Sequence, residues 1–507
     1  MTLPANSTIV SFSDINTEIG KKSITSTISL SDTPVRLLAP GPGKTINTTA
    51  ASTISVSDLA SARVREYYAT TTAAAITTVG YLTSAPGITN LATDTQGNIY
   101  AFYQNLNSAK PGTLIKLYPH PTIVQWARDI NLNTKQSGSN NLVILLDLFT
   151  DSNDNVYCIV ADSITVYSKY SSATTYYPVL VKFDSSGTFQ WQSKNFPASA
   201  YSSYRGYATA DGNIVVATTF TNTTLMYFNS SGTYLGAKDM SVSSAAANTI
   251  SGLEMSGFGN YVYIPVTMYL STSNTYYTGL AISNSTLGAQ TVYYHANNTY
   301  TSVSVGKQSV DSTGNAYIIS YLSGGATSFF VQKVSPTTGY VSSAQVTYTG
   351  ANITPICVVA DYADNINFAT YGNSNATFNY VFSTDTAFTS KWNRYYQFAN
   401  TSVGVYVANR SKLFTSRAFS TNSTYGATLI AATNNATGTT TGTFGSLVIG
   451  NTSLLTTVTS SPTSWTTMSS TSLVMTTNSS ITAHTSNVTT SSNSTVTNTF
   501  FTTTNIT

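Results

Sequence analysis

A chain of 507 residues is long enough for two or three domains, and its 41% hydrophobic residues are enough for a large core. Charged residues make up only 8%, against roughly 25% in an ordinary soluble domain. The net charge of +3 excludes a strongly basic nucleic-acid groove, and 35 Tyr with 21 Phe argue against disorder.

In chain order, the N-terminus (Met1-Thr-Leu-Pro-Ala-Asn-Ser-Thr8) has neither a basic stretch nor an apolar run, so no secretory signal is expected. Residues 1–75 hold a large share of the charge and repeat one phrase: Ser11-Phe-Ser-Asp14, Ile28-Ser-Leu-Ser-Asp32 and Ile54-Ser-Val-Ser-Asp58. Apolar residues alternating with Ser predict short strands, and Asp after Ser predicts a turn or helix N-cap. Pro40-Gly-Pro-Gly43 breaks regular structure between the second and third copies. Only a small core is possible here, so this segment is expected to dock on something else.

From residue 76 to 445 a polar turn followed by a β-rich strand recurs. The copies are Asp94-Thr-Gln-Gly-Asn98-Ile-Tyr, Asp151-Ser-Asn-Asp-Asn155-Val-Tyr, Ala210-Asp-Gly-Asn213-Ile-Val, Gly257-Phe-Gly-Asn260-Tyr-Val-Tyr, Asp311-Ser-Thr-Gly-Asn315-Ala-Tyr and Asp361-Tyr-Ala-Asp-Asn365-Ile-Asn. A degenerate seventh is Ala408-Asn-Arg-Ser-Lys412-Leu-Phe. A second turn follows within most periods, as in Phe183-Asp-Ser-Ser-Gly187 and Phe228-Asn-Ser-Ser-Gly232. Gly and Asn supply the positive φ that hairpins need. Four antiparallel strands in each of seven periods predict an all-β, seven-bladed β-propeller. An array of β-sandwiches is the rival, but needs about 100 residues per domain. The first-turn phrase resembles the hairpins of NHL-like and PQQ-like propellers, a resemblance that implies a fold and not an activity.

The connections between the second and third strands emerge on the face opposite these turns and are rich in Tyr, Ser and Asn. They read Tyr167 to Tyr177, Tyr269 to Tyr277, Tyr371 to Phe378 and Ser420 to Tyr425. Amphipathic rings among short hydrogen-bonding groups suit adaptable recognition. The candidate ligand-recognition residues are Tyr167, Tyr170, Tyr176, Tyr177, Tyr269, Tyr276, Tyr277, Tyr371 and Tyr425. The bland alternative is ordinary solvated loops in a Tyr-rich protein.

Residues 446–507 contain no Asp, Glu, Lys or Arg, and no such residue follows Arg417. Thr and Ser alternating with apolar residues predict a β-strand tail that packs in an oligomer or closes against the propeller. Trypsin-like proteases find few sites in the chain.

No catalytic constellation is evident. Asp94, Asp311 and Asp361 sit in tight turns, where capping is the expected role. His120, His295 and His484 have no ligand spacing, and Cys158 and Cys357 lie in apolar runs as expected buried thiols. Neither a P-loop nor a zinc-protease motif occurs. No cofactor, metal site or enzymatic activity is expected. The longest apolar run, Leu142 to Phe149, contains Asp147 and is too short to span a bilayer.

The N-terminal phrase Ser11 to Gly20, with Ile28 to Arg36 and Ile54 to Asp58, is similar to the start of tailed-bacteriophage virion proteins, those of marine and cyanobacterial phages above all. That resemblance implies a tail fibre or tail-tip component made in the host cytoplasm. Residues 1–75 would attach to other tail proteins, and the propeller would face a host glycan or lipopolysaccharide. It also implies a homo-oligomer, expected to be a trimer. Two other readings stay open: a propeller enzyme degrading polysaccharide, and a bacterial surface adhesin.

Overall fold

In the computed structural model the chain is all-β, with antiparallel four-stranded sheets in a propeller-like arrangement. The structure describes residues 10–30, 32–36, 38, 44, 46, 54, 56–59, 67–71, 87–104, 112–119, 123–132, 142–167, 172–196, 204–219, 223–242, 247–251, 254–270, 275–288, 291–294, 303–305, 308–322, 328–348, 353–372, 375–398, 405–408, 412–422, 425–434, 442–444, 447–451, 455–460, 469–477, 488–492 and 501–505.

The sheets follow the chain. Gly87–Thr93, Ile99–Gln104, Gly112–Leu117 and Val124–Leu132 form one antiparallel meander; Leu142–Thr150, Val156–Tyr167, Ser172–Phe183 and Phe189–Ser193 form the next. Tyr204–Ala208, Ile214–Thr219, Thr223–Phe228 and Tyr234–Val242 follow. Beyond them Tyr261–Leu270, Thr275–Asn284 and Thr291–Tyr294 pair in turn, with Ala247–Ser251 and Ser256–Phe258 both on the first of these. Ala316–Leu322, Ser328–Ser335 and Gly339–Tyr348 repeat that pattern with Val303–Val305 and Ser309–Val310. Ile353–Ala360, Ile366–Gly372, Asn375–Thr384 and Ser390–Phe398 form another meander. The last sheet joins Val405–Ala408, Lys412–Asn422 and Tyr425–Asn434 to a strand from far upstream, Tyr67–Thr71.

The leading strands of these sheets adjoin one another in order: Gly87–Thr93, Leu142–Thr150, Tyr204–Ala208, Ser256–Phe258, Ser309–Val310, Ile353–Ala360 and Val405–Ala408, the last adjoining the first again. Apolar layers fill the spaces between neighbouring sheets. Leu114, Ile130, Val143, Cys158, Val179 and Phe183 make one, and Phe329, Val346, Val358, Phe368 and Phe382 another. Cys158 and Cys357 are both buried, and burial, with Asp147 nearby, pushes the Cys158 thiol upward and keeps it inert.

The uncharged C-terminal strands extend these sheets at their outer edges, as β-structure and in reverse order. Leu447–Asn451 pairs with Ser390–Phe398, and Leu455–Ser460 with Gly339–Tyr348. Ser469–Thr477 pairs with both Tyr234–Val242 and Thr291–Tyr294, fusing two sheets into one of ten strands. Val488–Ser492 pairs with Val124–Leu132, while the Val488 N–H donates to Gln192 Oε1 at 2.7 Å. Phe501–Asn505 pairs with Tyr67–Thr71. Thr, Ser and β-branched residues suit this role, because they satisfy exposed edges without placing a charge against a neighbour.

The N-terminal segment differs from the expected short strands. Ser11 caps the helix Phe12–Glu18 in a capping box, its backbone N–H donating to Asp14 Oδ2 at 2.9 Å. In the second copy the Ser29 N–H donates to Asp32 Oδ2, again at 2.9 Å, just before the helix Thr33–Arg36. The third copy carries the 3-10 turn Val56–Leu59. A Ser three residues before an Asp is a better cap than strand, because the carboxylate takes the orphan N–H groups. Val10, Ile15, Ile19, Val35, Leu38, Ile46, Ile54 and Leu59 give this segment its own small core. Its strand Tyr67–Thr71 lies inside the expected 1–75 attachment segment, yet completes the last sheet of the ring.

Candidate functional site: the axial cavity and the two faces

The repeated turn phrase has one geometry. The Asp94 backbone bonds Asn98 and Gly97, while its Oδ1 accepts the N–H groups of Gln96 (3.0 Å) and Asn98 (2.8 Å) and its Oδ2 the Asn98 amide. Asp151, Asp311 and Asp361 repeat the pattern. The fourth turn residue has positive φ: +81° at Gly97, +63° at Asp154, +88° at Gly314 and +60° at Asp364. Gly, or an acid that bonds locally, tolerates that conformation.

The same groups fasten each turn to the next sheet. Asp154 Oδ1 accepts the N–H and hydroxyl of Thr95, both at 2.7 Å, and Asp364 accepts the Ser312 N–H on Oδ1 at 2.8 Å and its hydroxyl on Oδ2 at 2.6 Å. The Tyr of the phrase reaches onward, Tyr100 to Asp154 O and Tyr263 to Gly314 O, or back to its own turn, Tyr157 to Asp151 and Tyr317 to Asp311. A cross-strand Lys lies over that ring: Lys116 over Tyr100 at 5.0 Å, Lys182 over Tyr157 and Lys333 over Tyr317. Lys116 also pairs with Asp94 at 3.1 Å, both side chains buried. Several of the scarce charges are thus spent in clasps at these turns.

Hydrogen bonding and burial divide these carboxylates. Burial opposes the Asp311 charge, but bonds from Asn315, Thr313 and Tyr317 outweigh it and hold the group below the usual range. Asp361 is more deeply buried, and burial pushes it up to about 6 despite bonds from Asn365 and Ala363. Burial and the neighbouring Asp94 also raise Asp154.

A second polar group lies on the leading strands, around the axis. Asp147 accepts from the Gly206 N–H at 2.8 Å and from Asn90 Nδ2 at 3.1 Å. Arg205 makes a forked contact with Glu254, Nη2 to Oε1 at 3.0 Å and Nε to Oε2 at 3.1 Å. Burial opposes the guanidinium charge, but Glu254 and Asp147 more than restore it. Three leading strands and the segment just before Ser256–Phe258 therefore contribute to one polar cluster.

At the turn face the axis opens into a cavity of about 230 Å³. Its walls include Thr93, Thr150, Ser152, Tyr207, Phe258 and Tyr362, and the N-terminal segment adds Lys22. The Lys22 N–H donates to Thr95 O at 2.7 Å, and the backbone of Gly20 lies so close that a Cβ on Gly97 would be 2.7 Å from its oxygen. The Lys22 ammonium lies 5.8 Å from the Tyr362 ring. The N-terminal segment is thereby seated on the turn face at the cavity rim.

The Tyr residues singled out from sequence occupy the other ends of the strands, on paired backbone rather than in long loops. Tyr167 closes the hairpin Val156–Tyr167 with Ser172–Phe183, and Tyr176 and Tyr177 pair with Ser163 and Asp162. Tyr269 pairs with Tyr276, and Tyr277 with Met268. Tyr371 pairs with Asn379, and Tyr425 with Asn422. Tyr170 lies outside the described residues. Tyr176 and Tyr277 pack against the apolar layers between sheets, because β-favouring Tyr extends the hairpins nearly to their tips. The cavity residues Lys22, Ser152, Tyr207 and Phe258, and the cluster Asp147, Arg205 and Glu254, were not singled out from sequence; the one available signal was the placement of Phe258 and Ser152 inside turn phrases.

No protein-family model and no curated protein matches the sequence. Among solved structures the chain is similar to a protein of unknown function from Dyadobacter fermentans: 10% identity and a TM-score of 0.35, over 68% of this chain and 93% of that one. It is also similar to an ulvan lyase, a polysaccharide lyase, at 8% identity and a TM-score of 0.38, over 68% and 95%. A β-fructofuranosidase of Bombyx mori matches at 9% identity and a TM-score of 0.26, over 72% and 90%.

Proposed function

We propose that the chain is a seven-bladed β-propeller acting by contact rather than catalysis, as a tail fibre or tail-tip component of a bacteriophage virion. The blade number is supported by the closed succession of seven leading strands. The observation that carries the functional reading is the opposition of two faces. The N-terminal segment, whose sequence resembles phage attachment segments, is seated on the turn face through Gly20 and Lys22. The Tyr-bearing hairpins project from the other ends of the same strands, leaving that face turned away from the tether. A host-surface glycan is its proposed partner, with the assembled form a homotrimer and residues 1–75 as the attachment segment, whose strand Tyr67–Thr71 also joins the last sheet.

The test is the composition and structure of the particle. Electron cryo-microscopy of purified virions is expected to show this chain in the tail, hairpin face outward, and its absence from the particle ends the reading. The Tyr177→Ala variant is expected to lower adsorption to host cells severalfold while leaving assembly intact.

A second reading, a polysaccharide-cleaving enzyme, is favoured by the axial cluster of Asp147, Arg205 and Glu254. Depolymerisation of host capsule that is lost in Glu254→Gln would establish it in place of the first.

A further inference from the structure

Phe258 is one of several exposed large apolar residues, and it lines the axial cavity. One side of its ring covers the Gly314 turn, where a Cβ would meet it at 2.6 Å. Yet the residue remains 41% exposed, at the rim of the axial cavity. Around it the wall is mixed. Thr93 and Thr150 contribute hydroxyls whose protons are used on Ala408 O at 3.3 Å and Thr93 O at 2.8 Å, so that each acts toward a ligand as an acceptor, the Thr93 oxygen shared with the Tyr362 hydroxyl at 3.1 Å. Ser152 and Lys22, both exposed, contribute donors, and Tyr207 also lines the cavity.

From this wall we infer that the axial cavity is a binding site for one neutral sugar residue, its apolar C–H face packed on Phe258 and its hydroxyls bonded to Thr93, Thr150, Ser152 and Lys22. Three observations select that class. The volume of about 230 Å³ falls below the roughly 300 Å³ at which drug-sized sites begin, which suits a single ring. An exposed aromatic face beside a set of hydroxyl groups matches the two-sided chemistry of a pyranose. The cation Lys22 is offset by the wall residue Asp151, which disfavours a strongly charged ligand. Because Lys22 belongs to the N-terminal segment, the site is complete only while that segment is seated. This site is independent of the hairpin face and of the virion reading.

The test is calorimetric titration of the full chain with glucose, galactose, mannose, rhamnose and N-acetylglucosamine, and with their disaccharides. At least one is expected to bind. Phe258→Ala is expected to weaken it about tenfold, Lys22→Ala less, and Ser152→Trp, which fills the cavity mouth, to abolish it. The thermal midpoint of each free variant checks its fold; should Ser152→Trp unfold, Phe258→Ala and Lys22→Ala still decide. Tighter binding of the free sugar identifies a monosaccharide ligand, and tighter binding of the disaccharide identifies a chain end; either supports the site. Failure of every sugar to bind overturns it, and so does binding that the folded variants leave unchanged.

Discussion

At the scale of single residues, the turns show why so few charges suffice. Asp94, Asp151, Asp311 and Asp361 each gather several N–H groups of a five-residue turn on one carboxylate, a job that Ser or Asn does less completely because a carboxylate offers more acceptor sites. The divided titration follows. Asp361 has a raised folded pKa of about 6, so the stability linked to its protonation is fully present below the unfolded value near 4 and is lost as pH rises through 6. Asp311 has a lowered folded pKa, so its contribution holds above the unfolded value and is lost as acid titrates the folded carboxylate. Thermal melts are expected to show a gain between pH 6 and 4 that Asp361→Asn removes; a wild-type profile without that gain refutes the assignment. Gly232 is a different case, with φ at +80° and the Trp191 ring 2.4 Å from where a Cβ would stand. Gly232→Ala is expected to cost about 1–3 kcal/mol in denaturant unfolding.

Elements are joined by a smaller set of repeated contacts. Trp126 and Trp191 occupy equivalent places on outer strands, each ring lying on the glycine of the next sheet's second turn and donating its indole N–H, to Ser185 O at 3.1 Å and Ser230 O at 2.9 Å. Trp191→Phe keeps the ring contact and loses the bond, so a loss of about 1 kcal/mol is expected on denaturant titration; no change means that the indole N–H adds nothing. These contacts explain what was legible in advance. Turn phrases such as Asp151-Ser-Asn-Asp-Asn155 announce themselves because their chemistry is local, completed within five residues. The serine–aspartate phrases were harder, since one pattern serves both strand and cap and only the docked helix Phe12–Glu18 decides between them. Arg205 and Glu254 could not be paired from sequence, because their contact depends on the Tyr204–Ala208 strand lying beside the Ser256–Phe258 strand that Glu254 precedes. The Tyr residues could not be sorted by role in advance, because Tyr favours paired strands as readily as it favours recognition surfaces.

For the whole molecule, the outer C-terminal strands carry the largest consequence. A meander without a fifth strand ends in bare N–H and C=O groups, which invite association. Removing residues 442–507 strips the partners of Gly339–Tyr348, Ser390–Phe398, Val124–Leu132 and Tyr67–Thr71. The truncated chain is expected to form soluble aggregates by light scattering and to melt at lower temperature; a monomer with an unchanged midpoint contradicts this. Limited digestion gives a complementary expectation. Trypsin finds no site beyond Arg417, so the outer strands survive it, whereas chymotrypsin meets Phe444 and Trp465 and detaches them only under conditions that open the edge locally.

The pairing of Tyr67–Thr71 with Tyr425–Asn434 on one side and Phe501–Asn505 on the other also sets a schedule for biogenesis. An early-emerging strand has no lasting partner until Tyr425–Asn434 and Phe501–Asn505 have been made. Individual meanders can form during translation, but this closure waits for strands far downstream in the chain.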